Sequence, residues 1–432
     1  MRIFQLSASP GEGFYCENCI RDNSLVRSLR AAGHEAFVLP LYLPPGPEAG
    51  AAVPEGAGVF FGGINVYLQQ KSAVFRHTPR WLDRVFDSPR LLRWAARRAG
   101  MTAARDLGES TLSMLRGEAG RQAKELHRLA DYLASQRPDV VCLSNALLAG
   151  AARQIRRQTE APVVCCLQDE DAFLDALPQP WRDDAWHMLS DLTSEIDAFV
   201  ASSRYYADVM TKRLSLPPDK VHVVYPGVDT RQFSPAAAAA APAVGFISRM
   251  SYGKGLDTLA EAVVILKRNP ALAPLKLIVS GGRTASDESF IAGVNSRLAA
   301  AGTEAEYAPG FDTAARRDML RRLSVLSVPT RQGEAFGLYV VEALACGVPV
   351  VLPRHGAFVE LVEATGGGLL CEPNDAEALA EALGELLLDG ENAREIGRIG
   401  RRAVCEVFDA ERSCRDFLSV CETAVRANKA SI

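Results

Sequence analysis

Short apolar runs alternate with longer stretches of helical periodicity along the whole chain. In the first half, residues 3–6, 36–40, 140–143, 163–167, 198–202 and 221–225 read as strands. In the second half, residues 244–247, 275–280, 304–308, 325–329, 348–352 and 368–371 do the same. These runs lack polar alternation, so the strands are expected to be covered on both faces, as in parallel sheets. Strand–helix alternation then predicts an α/β fold with doubly wound parallel sheets.

The 432 residues exceed one ordinary core, which holds roughly 100–200 residues. Periodicity is lost between Pro226-Gly-Val-Asp229 and Pro242, where Pro235 and six alanines follow one another. Bracketing prolines mark a linker. The expected division is a first domain over 1–228, a linker over 229–242 and a second domain over 243–405. A final helical segment, 406–432, is expected to pack back on the first domain. Small-molecule chemistry often sits between two such domains.

Composition narrows the function. The hydrophobic fraction of 48% is that of a globular protein, and the net charge of −4 gives no bias toward nucleic acid. The N-terminal run reads as a strand and not as a signal peptide. No apolar run approaches the ~20 residues of a spanning helix, so membrane contact is expected to be peripheral at most. Ten scattered cysteines, several in apolar runs, suit a reducing cytoplasmic setting.

The chemistry concentrates in the second half. Glu334-Ala-Phe-Gly-Leu-Tyr-Val-Val-Glu342 places two carboxylates around a Gly-containing turn and the start of an apolar helix. Carboxylates accept hydrogen bonds from sugar and ribose hydroxyls, and a helix start faces phosphate. Upstream, Arg249 stands just past a strand, and Lys254 lies between Gly253 and Gly255 at a helix start. Two cations there make a diphosphate site that needs no metal.

With Tyr225-Pro-Gly-Val-Asp229, Gly310-Phe311 and Ala345-Cys-Gly-Val-Pro349, these residues resemble the retaining glycosyltransferases of family 4. The resemblance implies the GT-B fold, two Rossmann-like domains facing across a cleft. It also implies transfer of a hexose or N-acetylhexosamine, with retention, from a nucleoside-diphosphate sugar to a hydroxyl acceptor. That acceptor is expected to be a glycan, a lipid-linked sugar or a small molecule. UDP is the favoured nucleotide, and no cofactor is expected. By the resemblance, Arg249 and Lys254 hold the diphosphate and Glu334 contacts the sugar near the reacting carbon. Phe336, Gly337 and Leu338 cradle sugar and phosphate through backbone groups, and Glu342 binds ribose.

Two positions depart from the family pattern. Gln168 stands where many relatives carry a histidine; it can hydrogen-bond but cannot act as a base near neutral pH. Asp169-Glu-Asp171 spells a D-x-D sequence, read as a polar lip more readily than a metal site. Gly11 and Gly13 follow the first strand, either as a phosphate-facing loop or as a plain turn. Cys16-x-x-Cys19 invites zinc or redox readings, but it lacks a second ligand pair for zinc and the context of a thioredoxin-like motif, and reads more readily as two small residues lining a turn. His355 is expected to rim the donor site.

Between Lys71 and Arg98, eight cationic side chains face two aspartates, with Trp81, Phe86 and Trp94 interleaved. This segment reads as a solvated excursion, or as a grip on an anionic acceptor or membrane surface. Nucleic acid is not expected as a partner. Two alternatives to glycosyl transfer are a sugar-nucleotide 2-epimerase of the same fold and a non-catalytic glycan or nucleotide-sugar binding protein. A dehydrogenase is disfavoured, because no G-x-G-x-x-G follows the first strand.

Overall fold

The computed structural model describes residues 1–8, 16–43, 53–54, 59–76, 104–235 and 241–431. The apolar runs become two six-stranded sheets, parallel throughout. The first contains β1 (Arg2–Ser7), β2 (Glu35–Pro40), β3 (Val140–Leu143), β4 (Val163–Leu167), β5 (Ala198–Ala201) and β6 (Val221–Val223). Its order is β2-β1-β3-β4-β5-β6. The second contains β7 (Ala243–Ile247), β8 (Lys276–Ser280), β9 (Ala305–Tyr307), β10 (Val325–Leu326), β11 (Val350–Pro353) and β12 (Gly368–Cys371). Its order is β12-β11-β10-β7-β8-β9.

Every residue of β3, β4, β5, β7 and β11 is buried. That is why these strands carry no polar alternation: helices cover both faces. β10 covers only the first two residues of its apolar run; the chain then turns, with the Thr330 N–H donating to the Val328 carbonyl at 2.9 Å, and Pro329 has no N–H for a ladder. Ser327 still donates to the Gly245 carbonyl at 3.0 Å.

The chain divides into two compact units. One comprises the first strand, Cys16–Tyr225 and Cys414–Ile432; the other comprises Pro226–Ser413. In the first unit, Cys414, Phe417, Val420, Cys421 and Ala424 of the C-terminal helix share a core with Ile3, Val26, Val140 and Val164. No helix among the described residues is long and apolar enough to cross a membrane.

Sheet topology places the ligand positions. Open α/β sheets bind ligands outside the carboxyl ends of strands where the strand order reverses. In the first unit that point lies between β1 and β3, and in the second between β7 and β10. The loops leaving β7 and β10 carry Arg249 and Glu334 respectively.

Candidate functional site

In the second unit, Lys254 closes a short turn, Tyr252–Lys254, just after β7. Gly255 follows at φ +73°, and a Cβ there would lie 1.9 Å from the Pro329 carbonyl oxygen. Only glycine lets this turn rest against the loop leaving β10. The contact brings Lys254 Nζ to 2.8 Å from both carboxylate oxygens of Glu334. Glu334 is 3% exposed. Its second oxygen also accepts from the Tyr339 hydroxyl at 3.2 Å, and its carbonyl accepts the Ala357 N–H at 3.0 Å. His355 borders this loop: its Nε2 lies 2.9 Å from the Thr330 carbonyl oxygen.

Arg331 ties the two loops together. Its guanidinium grips Asp257 through two bonds of 2.9 Å and donates to the Tyr252 carbonyl. It lies 3.7 Å over the Tyr252 ring, and its N–H donates to the Gly253 carbonyl at 2.9 Å. The side chain therefore fixes the Lys254 turn relative to Glu334. Sequence reading missed it, because Asp257 and Tyr252 lie more than seventy positions away. Arg331→Ala is expected to free the Lys254 turn from the loop of Glu334 and to weaken nucleotide binding about tenfold, the worth of one or two charge-assisted hydrogen bonds. Titration calorimetry against UDP checks this; unchanged affinity would make Arg331 structurally incidental.

Arg249 is held by two partners. Its Nε and one Nη lie 3.1 Å from the oxygens of Asp287, and the same Nη donates to Thr284 Oγ1 at 3.1 Å. Asp287 in turn forms a capping box with Thr284. Burial pushes the Asp287 carboxyl up, but hydrogen bonds from Arg249 and Thr284 outweigh it and hold the pKa below the ordinary value. The pair is therefore intact at neutral pH and is lost only as pH falls through that lowered value. Arg249 keeps 43% of its side chain exposed.

The helix Leu338–Ala345 starts at Gly337, which sits at φ +89°. Phe336, before it, packs against Phe408 with centroids 6.1 Å apart. One turn inside the helix, Glu342 is buried. Arg316 donates to it through Nε at 3.0 Å and through Nη2 at 2.8 Å, and passes its Nη1 to the Phe311 carbonyl at 2.7 Å. Arg316 was not singled out from the sequence. An arginine four residues into a helix carries no signal until the buried carboxylate opposite it is known.

In the first unit, Gln168 is wired into the end of the sheet. Its Nε2 donates to the Ser144 carbonyl, and its N–H donates to Glu170 at 2.7 Å. Glu170 also accepts from the Ala146 N–H and the Tyr206 hydroxyl, both at 2.8 Å. Burial raises its carboxyl pKa, against the pull of those hydrogen bonds. Asp171 Oδ1 lies 3.0 Å from the same Tyr206 hydroxyl oxygen. The D-x-D sequence thus encloses a buried, structurally committed glutamate. Among the described residues, no group of three or more His, Cys, Asp or Glu is placed to hold a metal ion. Gly11, Gly13, the alanines at 236–240 and most of the basic stretch, residues 77–98, lie outside the described residues.

Residues 229–403 match the family described as glycosyl transferases group 1, and residues 105–232 match Glycosyltransferase Family 4. A D-inositol 3-phosphate glycosyltransferase of Salinispora tropica is 30% identical over 261 residues, 55% of this chain and 53% of that protein. The chain thus spans about half the length of the curated relatives it matches. Sucrose-phosphate synthase from Thermosynechococcus elongatus superposes with a TM-score of 0.73 at 18% identity, covering 99% of this chain and 100% of that one. Anabaena HepE, solved in complex with UDP and glucose, superposes at 0.70 and 16% identity, covering 98% and 99%. The fold is that of these GT-B structures.

Proposed function

This chain belongs to the group 1 glycosyltransferases of family 4, and we propose that it transfers a hexose or N-acetylhexosamine from a UDP-sugar to a hydroxyl acceptor with retention of configuration. The observation that carries the reading is the Lys254–Glu334 pair, which joins the loops leaving β7 and β10, with Arg249 on the same loop as Lys254. Leaving of the nucleoside diphosphate builds negative charge on its oxygens. Arg249, Lys254 and the start of helix Leu338–Ala345 are fixed positive groups that favour that charge as it develops. These cations supply the neutralisation that a divalent metal provides elsewhere, so the reaction proceeds in the presence of chelator.

Glu334, held between Lys254 and Tyr339, meets the sugar near its anomeric carbon; Glu342, which the resemblance places at the ribose, has both carboxylate oxygens engaged by Arg316. Gln168, with its amide already engaged, positions the loop after β4 and moves no proton. The acceptor is a glycan, a lipid-linked sugar or a small-molecule hydroxyl.

Thermal melting in the presence of UDP, GDP and ADP tests the nucleotide. Ligand at 100 times its Kd stabilises the folded chain by about 2.7 kcal/mol, and UDP is expected to give the largest rise. Proton NMR of the product then reads the anomeric configuration. An inverted anomer, or conversion of a UDP-sugar to its 2-epimer without acceptor, would contradict retaining transfer.

A further inference from the structure

Cys16 and Cys19 open the helix Glu17–Ala31, directly after the loop that leaves β1. Cys16 is the N-cap, and its Sγ accepts the Cys19 N–H at 3.3 Å. The two Sγ atoms stand 2.7 Å apart, within a small adjustment of the about 2.05 Å of a disulfide bond. Ser7, the last residue of β1, lies 3.9 Å from Cys19 Sγ. Both thiols are half-buried; of the other eight cysteines, seven are buried and Cys405 is exposed. No third His, Cys, Asp or Glu joins the pair in a metal-holding group among the described residues.

We propose that Cys16 and Cys19 form a reversible redox pair, a modification site that takes low-molecular-weight disulfides. The Cys16 thiolate attacks one sulfur of the small disulfide, forming a mixed disulfide and expelling one thiolate. Cys19 gives up its proton, attacks Cys16 Sγ and expels the second thiolate. Two protein thiols lose two protons and two electrons, and the small disulfide takes them up as two thiols.

The roles follow from the local bonding. The close contact with the Cys19 sulfur, and with it the Cys19 amide N–H donated to Cys16 Sγ, holds the Cys16 pKa below its ordinary value against the effect of burial. The same sulfur contact, then burial, pushes Cys19 well up. A thiol capping a helix start is the more nucleophilic of such a pair. Ser7 ends β1, so the pair lies where the first sheet reverses its strand order. This inference is independent of the donor-site reading.

The test uses the full chain carrying Cys405→Ser, treated with oxidised glutathione under native conditions, then alkylated and read by intact mass and peptide mapping. The expected product is a Cys16–Cys19 disulfide that retains no glutathione and is reversed by dithiothreitol. Adding Cys19→Ser should arrest the reaction as a glutathione adduct on Cys16. Adding Cys16→Ser should slow modification about tenfold or more. Thiols left intact in the Cys405→Ser parent, or an adduct that forms first on Cys19, would overturn the proposal without need of the other variants.

Discussion

Lys254→Ala is expected to lower the rate of sugar transfer about 10²–10³-fold, the loss typical of removing one preorganised charge-stabilising group. The side chain does two things at once. It neutralises a carboxylate that is 3% exposed, and it brings an ammonium to the carboxyl end of β7, where a departing diphosphate gathers charge. Without it, Glu334 keeps only the Tyr339 hydroxyl among its side-chain partners described above, and the transition state loses a cation. Lys254→Arg is not expected to restore the rate. A guanidinium would grip Glu334 through two nitrogens and is longer and planar, so it does not reproduce the compact point charge that Lys254 holds at 2.8 Å from both oxygens. Initial rates with a UDP-sugar, compared at matched melting temperature, measure the effect. An unchanged kcat would remove Lys254 from the chemistry.

The second large effect concerns stability. Arg316→Met is expected to cost the second unit about 3–5 kcal/mol, because it strands the Glu342 carboxylate in the interior. Arg316 and Glu342 are 1% and 2% exposed, so water cannot replace the lost partner. Replacing both residues, Arg316→Met with Glu342→Leu, should recover most of the loss, since apolar side chains of similar volume often substitute for a buried ion pair. The double variant also separates two roles of Glu342. If its carboxylate contacts ribose, the refolded double variant binds UDP more weakly than the parent. If its work is confined to Arg316, affinity is unchanged. Denaturant unfolding and UDP titration of the same preparations read both.

The fold was legible because burial on both faces leaves a simple mark, an unbroken apolar run. Each such run contains or overlaps a strand of the structure. The runs overstate strand length where proline intervenes: the ladder of β10 stops before Pro329, and β11 begins after Pro349. Arg249, Lys254 and Glu334 were legible because their local sequence is unusual, with glycines and charges at strand ends. Their supports were not. Asp287 lies 38 positions from Arg249, Arg331 lies 74 from Asp257, and Arg316 lies 26 from Glu342. Each partner is an ordinary surface-type residue until the fold pairs it. The Cys16–Cys19 contact shows the same limit at short range. The spacing was visible, but the N-cap geometry that points one sulfur at the other depends on where the helix begins.

The central claim is that the second unit binds a nucleoside diphosphate on Arg249 and Lys254. A crystal structure of the chain with UDP-sugar tests it most directly. The account predicts pyrophosphate oxygens within hydrogen-bonding distance of both cations, with the start of helix Leu338–Ala345 facing them. Nucleotide bound with Arg249 still wholly engaged by Asp287, and with Lys254 turned away from the phosphates, would contradict it.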